Sequence, residues 1–180
     1  MGTFAVQIAK SFGVEVTGVC STRNVDMVRS LGADHVIDYT REDFTRGDQR
    51  YDFILDNVGN RSLSDTRRAL NPEGRLQSNG RGHSGGAMGT IIKALVLSRF
   101  VRQQLGPSIK FANRADLVVL KELIEAGKIT PVVDGTYPLG ETAGAIAHIG
   151  EGHVRGTVVI TVQMGAIDET PIGVIKGETR

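Results

Sequence analysis

The four residues at positions 21–24 carry side chains suited to bind a phosphate group. Ser21 and Thr22 offer hydroxyls, and Arg23 offers a guanidinium that matches the geometry of a phosphate and stays charged at neutral pH. No acidic residue stands among the four. The alternative is an ordinary loop, in which Arg23 is a solvated charge and Asn24 only caps the helix that follows.

Three further polar or glycine-containing groups stand at the ends of short β-rich runs. They are Tyr39; Asn57, Val58 and Gly59; and Ser78, Asn79 and Gly80. Gly59 would allow a ligand to approach the main chain closely, and Asp56 is interpreted as a carboxylate that orders this turn rather than as a catalytic acid. These groups also fit plain turns, which Gly, Asn and Ser favour for backbone reasons. Tyr39 equally fits a half-buried aromatic at the end of a strand.

The segment RGHSGGAMG, residues 81–89, is the richest in glycine and looks like a phosphate cradle. Its spacing does not give GxxxxGK[ST], so we interpret it as a mobile loop. The four histidines and the single cysteine, Cys20, show no metal-ligand spacing, and no metal site is predicted. No residue is predicted to be catalytic.

Composition limits the function classes. The 180 residues carry a formal net charge of +1 and 23% charged side chains, which suits a globular domain and gives no support for binding nucleic acid or a membrane surface. One cysteine excludes an internal disulfide and suits a reducing compartment, so a cytoplasmic location is expected. No apolar stretch predicts a membrane span or a secretory start.

Helical and strand patterns alternate along the chain and would position these groups. Apolar residues recur at helical spacing over residues 4–12, and Gly13 is placed to end that helix. The run YDFILDNVG is the strongest strand, and its unbroken apolar centre predicts cover on both faces. The predicted helices span 4–12, 25–31, 61–74, 90–105, 113–127 and 141–149, and the predicted strands span 15–20, 35–39, 51–59, 75–80, 129–139 and 156–162.

This alternation predicts an α/β fold, a mostly parallel sheet with helices on both faces. Ligands bind such sheets at the carboxyl ends of the strands. The residues that follow each strand are therefore the candidate binding residues. Pro131 and Pro138 indicate that the strand containing them lies at an edge.

Several segments resemble the cofactor-binding half of the medium-chain dehydrogenase/reductase superfamily, and most of all its zinc-independent quinone oxidoreductases. They are GTFAVQIAKSFGVEVTGVCSTRN, LGADHVIDY, DFILDNVG, LNPEGRL, NRADLVVLKELIEAGKITPVVDGTYPL and EGHVRGTVVITV. The resemblance implies a Rossmann-like domain over residues 1–162 and a flexible tail over 163–180. Gly2 matches the last glycine of the family's phosphate loop.

In that superfamily a catalytic domain, a first Rossmann strand and the rest of the phosphate loop come before this point. We therefore expect the chain to be truncated, with a sheet that lacks its first strand. That strand is central in the 3-2-1-4-5-6 order, so its loss leaves two strands without their shared neighbour. We expect such a chain to fold poorly or to self-associate.

The resemblance implies an oxidoreductase that passes hydride from NADPH to a quinone, enone or related carbonyl acceptor, inactive as this fragment. The implied cofactor-binding residues are Gly2, Ser21, Thr22, Arg23, Asn24, Tyr39, Asn57, Val58, Gly59, Ser78, Asn79 and Gly80. It also implies a homodimer formed through the edge strand near Val132. Two alternatives stay open at this point: the cofactor domain of a zinc-dependent alcohol dehydrogenase, and a non-catalytic binding or dimerisation module.

Overall fold

The structure is a computed structural model that describes residues 1–79, 102–107, 113–152 and 154–162. Gly80, residues 81–89 and the predicted tail 163–180 lie outside the described residues. The chain divides into two compact units, Met1–Pro131 and Val132–Arg180. None of the described helices is both long and apolar enough to cross a membrane.

Helices and strands alternate through the described part of the first unit, as predicted. The elements are α1 (Gly2–Ser11), β1 (Thr17–Cys20), α2 (Val25–Ser30), β2 (His35–Asp38), β3 (Tyr51–Asp56), α3 (Leu63–Arg68), β4 (Leu70–Ser78), β5 (Gln104–Pro107) and α4 (Arg114–Glu125). Gly13, Gly32 and Gly127 adopt positive φ angles where α1, α2 and α4 end. The predicted α/β class is confirmed.

The strands of the first unit form two separate parallel sheets. β1 pairs with β2, and β3 pairs with β4, which pairs with β5. In the described part of the chain no strand bonds to both β1 and β3, so one edge of each carries unpaired main-chain groups. These two strands are the ones that the sequence predicts to lack their shared neighbour, the first Rossmann strand.

Open strand edges favour pairing between copies. We therefore expect the purified chain to elute in size-exclusion chromatography as a dimer or larger species, more so at higher concentration. A monomer that melts in one sharp, concentration-independent transition would contradict this expectation.

Helix α1 is held to the rest of the unit by two polar side chains. Gln7 is buried, its Nε2 donates to Thr130 O at 3.0 Å, and its Oε1 accepts from Thr130 N at 2.7 Å. In the last turn of the helix, Lys10 Nζ donates to both carboxylate oxygens of Asp34 at 2.9 Å, and Val16 N donates to the same carboxylate at 2.7 Å. Asp34 therefore joins α1 to the start of β1.

Acidification should remove the contribution of Asp34. Its hydrogen bonds from Lys10 and Val16 lower the pKa of Asp34, so the ionised carboxylate stabilises the fold at neutral pH, and this is lost as pH falls through the lowered pKa. We expect Asp34→Asn to melt at a lower temperature than the wild type at pH 7. The difference should shrink as pH falls below about 4, where free aspartate protonates.

Thermal melts by circular dichroism at several pH values measure this difference. The control is Asp48→Asn, which removes the same charge from an exposed loop position. A deficit for Asp34→Asn that stays constant down to acid pH would show that the side chain acts through something other than its charge.

One face of β3 is covered and the other is not. Ile54 packs with Leu63 against a buried cluster of Leu70, Leu76 and Leu105. Phe53 is 50% exposed and Leu55 is 36% exposed. The prediction of cover on both faces is therefore wrong for the described residues, since alternate side chains of a strand point to opposite faces and only the Ile54 face meets this core.

Two predicted boundaries are also wrong. β4 begins at Leu70 rather than at Arg75, because Leu70 pairs with Tyr51 before an irregularity that takes up the intervening residues. Gln104 and Leu105 were predicted as the end of a helix but lie in β5, where Leu105 pairs with Leu76. Pairing with a neighbouring strand outweighed the helical spacing of the apolar residues.

The described part of the second unit contains a parallel pair of strands and a helix. Its elements are β6 (Val133–Pro138), a 3-10 turn (Leu139–Glu141), α5 (Thr142–Gly150) and β7 (Thr157–Thr161). Asp134 Oδ2 lies 2.9 Å from His148 Nε2 and so links β6 to α5. The central residues of β7 are half-buried and its two end residues are exposed.

Candidate cofactor-binding site

The predicted phosphate-binding residues form the turn between β1 and α2. Thr22–Asn24 is a single 3-10 turn that directly follows β1 and Ser21. Tyr39, just after β2, donates its main-chain N–H to Cys20 O at 3.0 Å, and its side chain is exposed. The parallel register sets Cys20 against Asp38. The structure therefore brings residues 21–24 and Tyr39 together at the carboxyl end of the β1–β2 sheet.

Asp38 lies at the centre of this group. Its Oδ2 accepts from Thr22 Oγ1 at 2.6 Å, and its Oδ1 accepts from Thr40 Oγ1 at 2.7 Å and from Thr40 N at 3.0 Å. Arg41 Nε lies 3.5 Å from Oδ2, and only 12% of the Asp38 side chain is exposed. The carboxylate of Asp38 thus joins the turn after β1, through Thr22, to the segment after β2, through Thr40.

The pKa values of two side chains in this region, Asp38 and Cys20, are shifted. The hydrogen bond from Thr22, followed by those from Thr40, lowers the pKa of Asp38, so its carboxylate is ionised at neutral pH. Burial, and then the charge of Asp38, raises the pKa of the Cys20 thiol. Cys20 is therefore a neutral thiol next to the site rather than a reactive thiolate.

Asn24 does not cap α2 in the predicted way. Its Nδ2 donates to Ser21 Oγ at 3.3 Å, and its side chain makes no capping hydrogen bond to α2. The reason is its backbone, with φ −106° and ψ −3°, which continues the 3-10 turn instead of the extended conformation of an N-cap. Asn24 Oδ1 is buried without a hydrogen-bond partner among the described residues.

The second group of candidate residues lies at the ends of β3 and β4. Asp56 Oδ1 accepts from Val58 N at 3.0 Å and from Gly59 N at 2.7 Å. Gly59 has a φ of +72°, which a residue with a side chain adopts only with strain. The interpretation of Asp56 as the carboxylate that orders this turn is confirmed.

Asn79 joins the two turns of the second group. Its main-chain N–H donates to Asp56 O at 2.8 Å, and its Nδ2 donates to Asn57 Oδ1 at 2.9 Å. Ser78 pairs with Asp56 in the parallel register. Asn57, Ser78 and Asn79 therefore lie together at the carboxyl end of the second sheet, next to the exposed Val58 and the buried Gly59. Gly80 lies outside the described residues.

The predicted site residue Gly2 and the residue Asn113 are both at helix N-termini. Gly2 is the first residue of α1, and a Cβ built there would meet nothing within 4 Å, so the approach to it is open. Asn113 caps α4, since its Oδ1 accepts from Asp116 N at 2.9 Å.

Comparison with known proteins identifies the family. A sequence model described as zinc-binding dehydrogenase matches residues 31–160, well over half of the chain. The chain belongs to the zinc-binding dehydrogenase family. The predicted place in the medium-chain dehydrogenase/reductase superfamily, as its cofactor-binding domain, is confirmed.

The chain is similar to several named oxidoreductases. The mouse mitochondrial NAD(P)H oxidoreductase RTN4IP1 is 35% identical, and the match covers 90% of this chain and 45% of the relative. The chloroplastic NADPH-dependent alkenal/one oxidoreductase of Arabidopsis thaliana is 31% identical, with 89% and 37% covered. The quinone oxidoreductase of Coxiella burnetii superposes with a TM-score of 0.74 at 26% identity, with 90% and 49% covered. The chain spans about half the length of these relatives or less.

The family's name implies zinc, but the described residues do not fit a zinc site. Among them no group of three or more His, Cys, Asp or Glu side chains could hold a metal ion. His35 lies 3.0 Å from Glu15, and His148 lies 2.9 Å from Asp134 and 3.9 Å from Glu151. His83 and His153 lie outside the described residues.

The two groups of candidate site residues do fit a nicotinamide dinucleotide. Acceptors and donors from two strand ends converge in each group, and the orphaned Asn24 Oδ1 could accept from an N–H or O–H of a ligand. Asp38 is not among the residues that the sequence predicts for the site, although it directly precedes Tyr39. The signal was present, since Asp38 is the last residue of the parallel neighbour β2.

Proposed function

We propose that this chain binds NADPH and forms the cofactor-binding part of an oxidoreductase that transfers hydride to a quinone, enone or related carbonyl acceptor. The observation that carries the proposal is the convergence of residues 21–24 with Tyr39 at the carboxyl end of two parallel strands, where this fold class binds ligands. The names of the relatives, which include an NADPH-dependent oxidoreductase and quinone oxidoreductases, support the same conclusion.

The proposed preference for NADPH depends on the β1–α2 turn. Residues 21–24 contain the guanidinium of Arg23 and no carboxylate of their own, and the hydroxyl of Thr22 donates to the neighbouring Asp38. A guanidinium there matches a 2′-phosphate in charge and geometry. Tyr39, which is 48% exposed beside this turn, would lie against the adenosine.

The second group would hold the nicotinamide end of the cofactor. Residues 57–59 would approach the ribose through their main chain, in a turn that the buried Gly59 shapes through its φ of +72°. Asp56 and Asn79 would keep this surface rigid through their hydrogen bonds to it. When bound, NADPH supplies the hydride, and these residues orient it and exclude water.

The acceptor would bind between this domain and a catalytic domain of the parent enzyme. We therefore propose that the chain alone does not reduce it. We also propose a homodimer through the strand near Val132, since the outer edge of β6 is unpaired among the described residues of its unit. The expected cytoplasmic location stays a prediction.

Titration of the purified chain with NADPH, followed by nicotinamide fluorescence, tests the proposal. Circular dichroism first establishes that the sample is folded. We expect saturable binding that 2′,5′-ADP displaces, and no oxidation of NADPH when a quinone is added. A folded sample that binds neither NADPH nor NADH would refute the proposal and favour a non-catalytic interaction module.

A further inference from the structure

The hydroxyl protons of Thr22 and Thr40 point towards Asp38. A hydroxyl has one proton to donate, and both groups lie 2.6–2.7 Å from a carboxylate oxygen, the distance of a charge-assisted hydrogen bond. The two hydroxyl oxygens are 3.1 Å apart. With both protons committed to Asp38, each oxygen presents only lone pairs to a ligand.

A ligand must therefore donate to these oxygens. The 2′- and 3′-hydroxyls of an unmodified ribose can do so, whereas a phosphate at neutral pH mainly accepts hydrogen bonds and carries up to two negative charges. A 2′-phosphate near Thr22 would also meet the negative charge of Asp38, which the hydrogen bonds keep ionised. Arg41 offsets this charge in part, from 3.5 Å.

We propose that Asp38 is a residue that sets coenzyme specificity: by orienting the hydroxyls of Thr22 and Thr40 as acceptors, it favours the plain ribose of NADH and opposes the attraction of Arg23 for a 2′-phosphate. The inference depends on the proposed dinucleotide binding. The protein would then prefer NADPH by a small margin, and Asp38 would keep that margin small.

The test compares dissociation constants for NADPH and NADH, measured by nicotinamide fluorescence, in the wild type and in Asp38→Asn. The amide keeps the shape of the side chain and an acceptor oxygen but removes the charge. We expect the ratio of the NADH constant to the NADPH constant to rise about fivefold, the effect of one nearby charge in a partly solvated site. Asp48→Asn, which removes a charge from an exposed loop, should leave the ratio unchanged.

If Asp38 had only a structural role, Asp38→Asn would weaken the binding of NADPH and NADH by the same factor and leave the ratio of the two dissociation constants unchanged. That result, or a ratio that moves towards NADH, would overturn the inference while leaving the proposed function intact. Wild-type protein that binds neither coenzyme would instead refute the proposed function. If Asp38→Asn does not fold, Asp38→Ser serves the same comparison, since it keeps an oxygen acceptor without charge.

Discussion

Gly18→Ala is expected to lower the free energy of unfolding by about 2–3 kcal/mol, the usual cost of forcing extra atoms into a packed site. A Cβ at position 18 would overlap Cγ1 of Val28. Val28 is buried, and a β-branched side chain on a helix has a single favoured rotamer, so it cannot turn aside. β1 cannot shift either without breaking its pairing with β2, so the clash separates α2 from the sheet.

The sign of this effect makes it informative. Replacing glycine by alanine ordinarily stabilises a protein by about 0.4–1 kcal/mol when the backbone allows it, because the unfolded chain loses freedom. Gly47→Ala, where the nearest atom to a new Cβ is 4.0 Å away, is the matched control and should be neutral or stabilising. Urea unfolding followed by circular dichroism measures both variants.

A second variant shows whether Val28 causes the loss. Val28→Ala removes Cγ1, so the double variant Gly18→Ala/Val28→Ala should be less destabilised than the sum of the two single variants. Strict additivity would mean that the two side chains do not clash, and that helix α2 does not rest on β1 in the described way.

Arg23→Gln is expected to raise the dissociation constant for NADPH about 30-fold and to leave that for NADH within about twofold. The figure corresponds to the loss of charge-assisted hydrogen bonds worth about 2 kcal/mol. Glutamine keeps most of the length and polarity of the side chain, so the 3-10 turn of Thr22–Asn24 should be preserved. Fluorescence titration with each coenzyme provides the measurement.

Arg46→Gln is the control for net charge. Arg46 is 82% exposed and lies 3.7 Å from Asp43, in the loop between β2 and β3. It should change neither dissociation constant by more than about twofold at moderate salt, because charges at a distance are screened. If Arg23→Gln weakened NADPH and NADH equally, Arg23 would act on the fold of the turn and not on a 2′-phosphate.

The loops at residues 21–24 and 39–40 show which features of the site could be predicted from the sequence and which could not. Residues 21–24 and Tyr39 could be placed at strand ends because strand and helix patterns alternate so regularly. The role of Asp56 was also accessible, since an aspartate directly before a turn commonly accepts main-chain hydrogen bonds within it. The hydrogen bonds from Thr22 and Thr40 to Asp38 were not, because they depend on the register between β1 and β2.

The sequence by itself determined the α/β class, the order of the elements from α1 to β4, the end of α1 at Gly13, and the family. These follow from local chemistry: the spacing of apolar side chains, the backbone preferences of glycine and asparagine, and motifs contained in single segments. Only the tertiary structure decided that β4 begins at Leu70 and that Gln104 and Leu105 belong to a strand. It also decided that one face of β3 is exposed and that Asp38 accepts a hydrogen bond from the Thr22 hydroxyl. Each of these depends on which distant segment lies alongside, and such pairings can override local propensity.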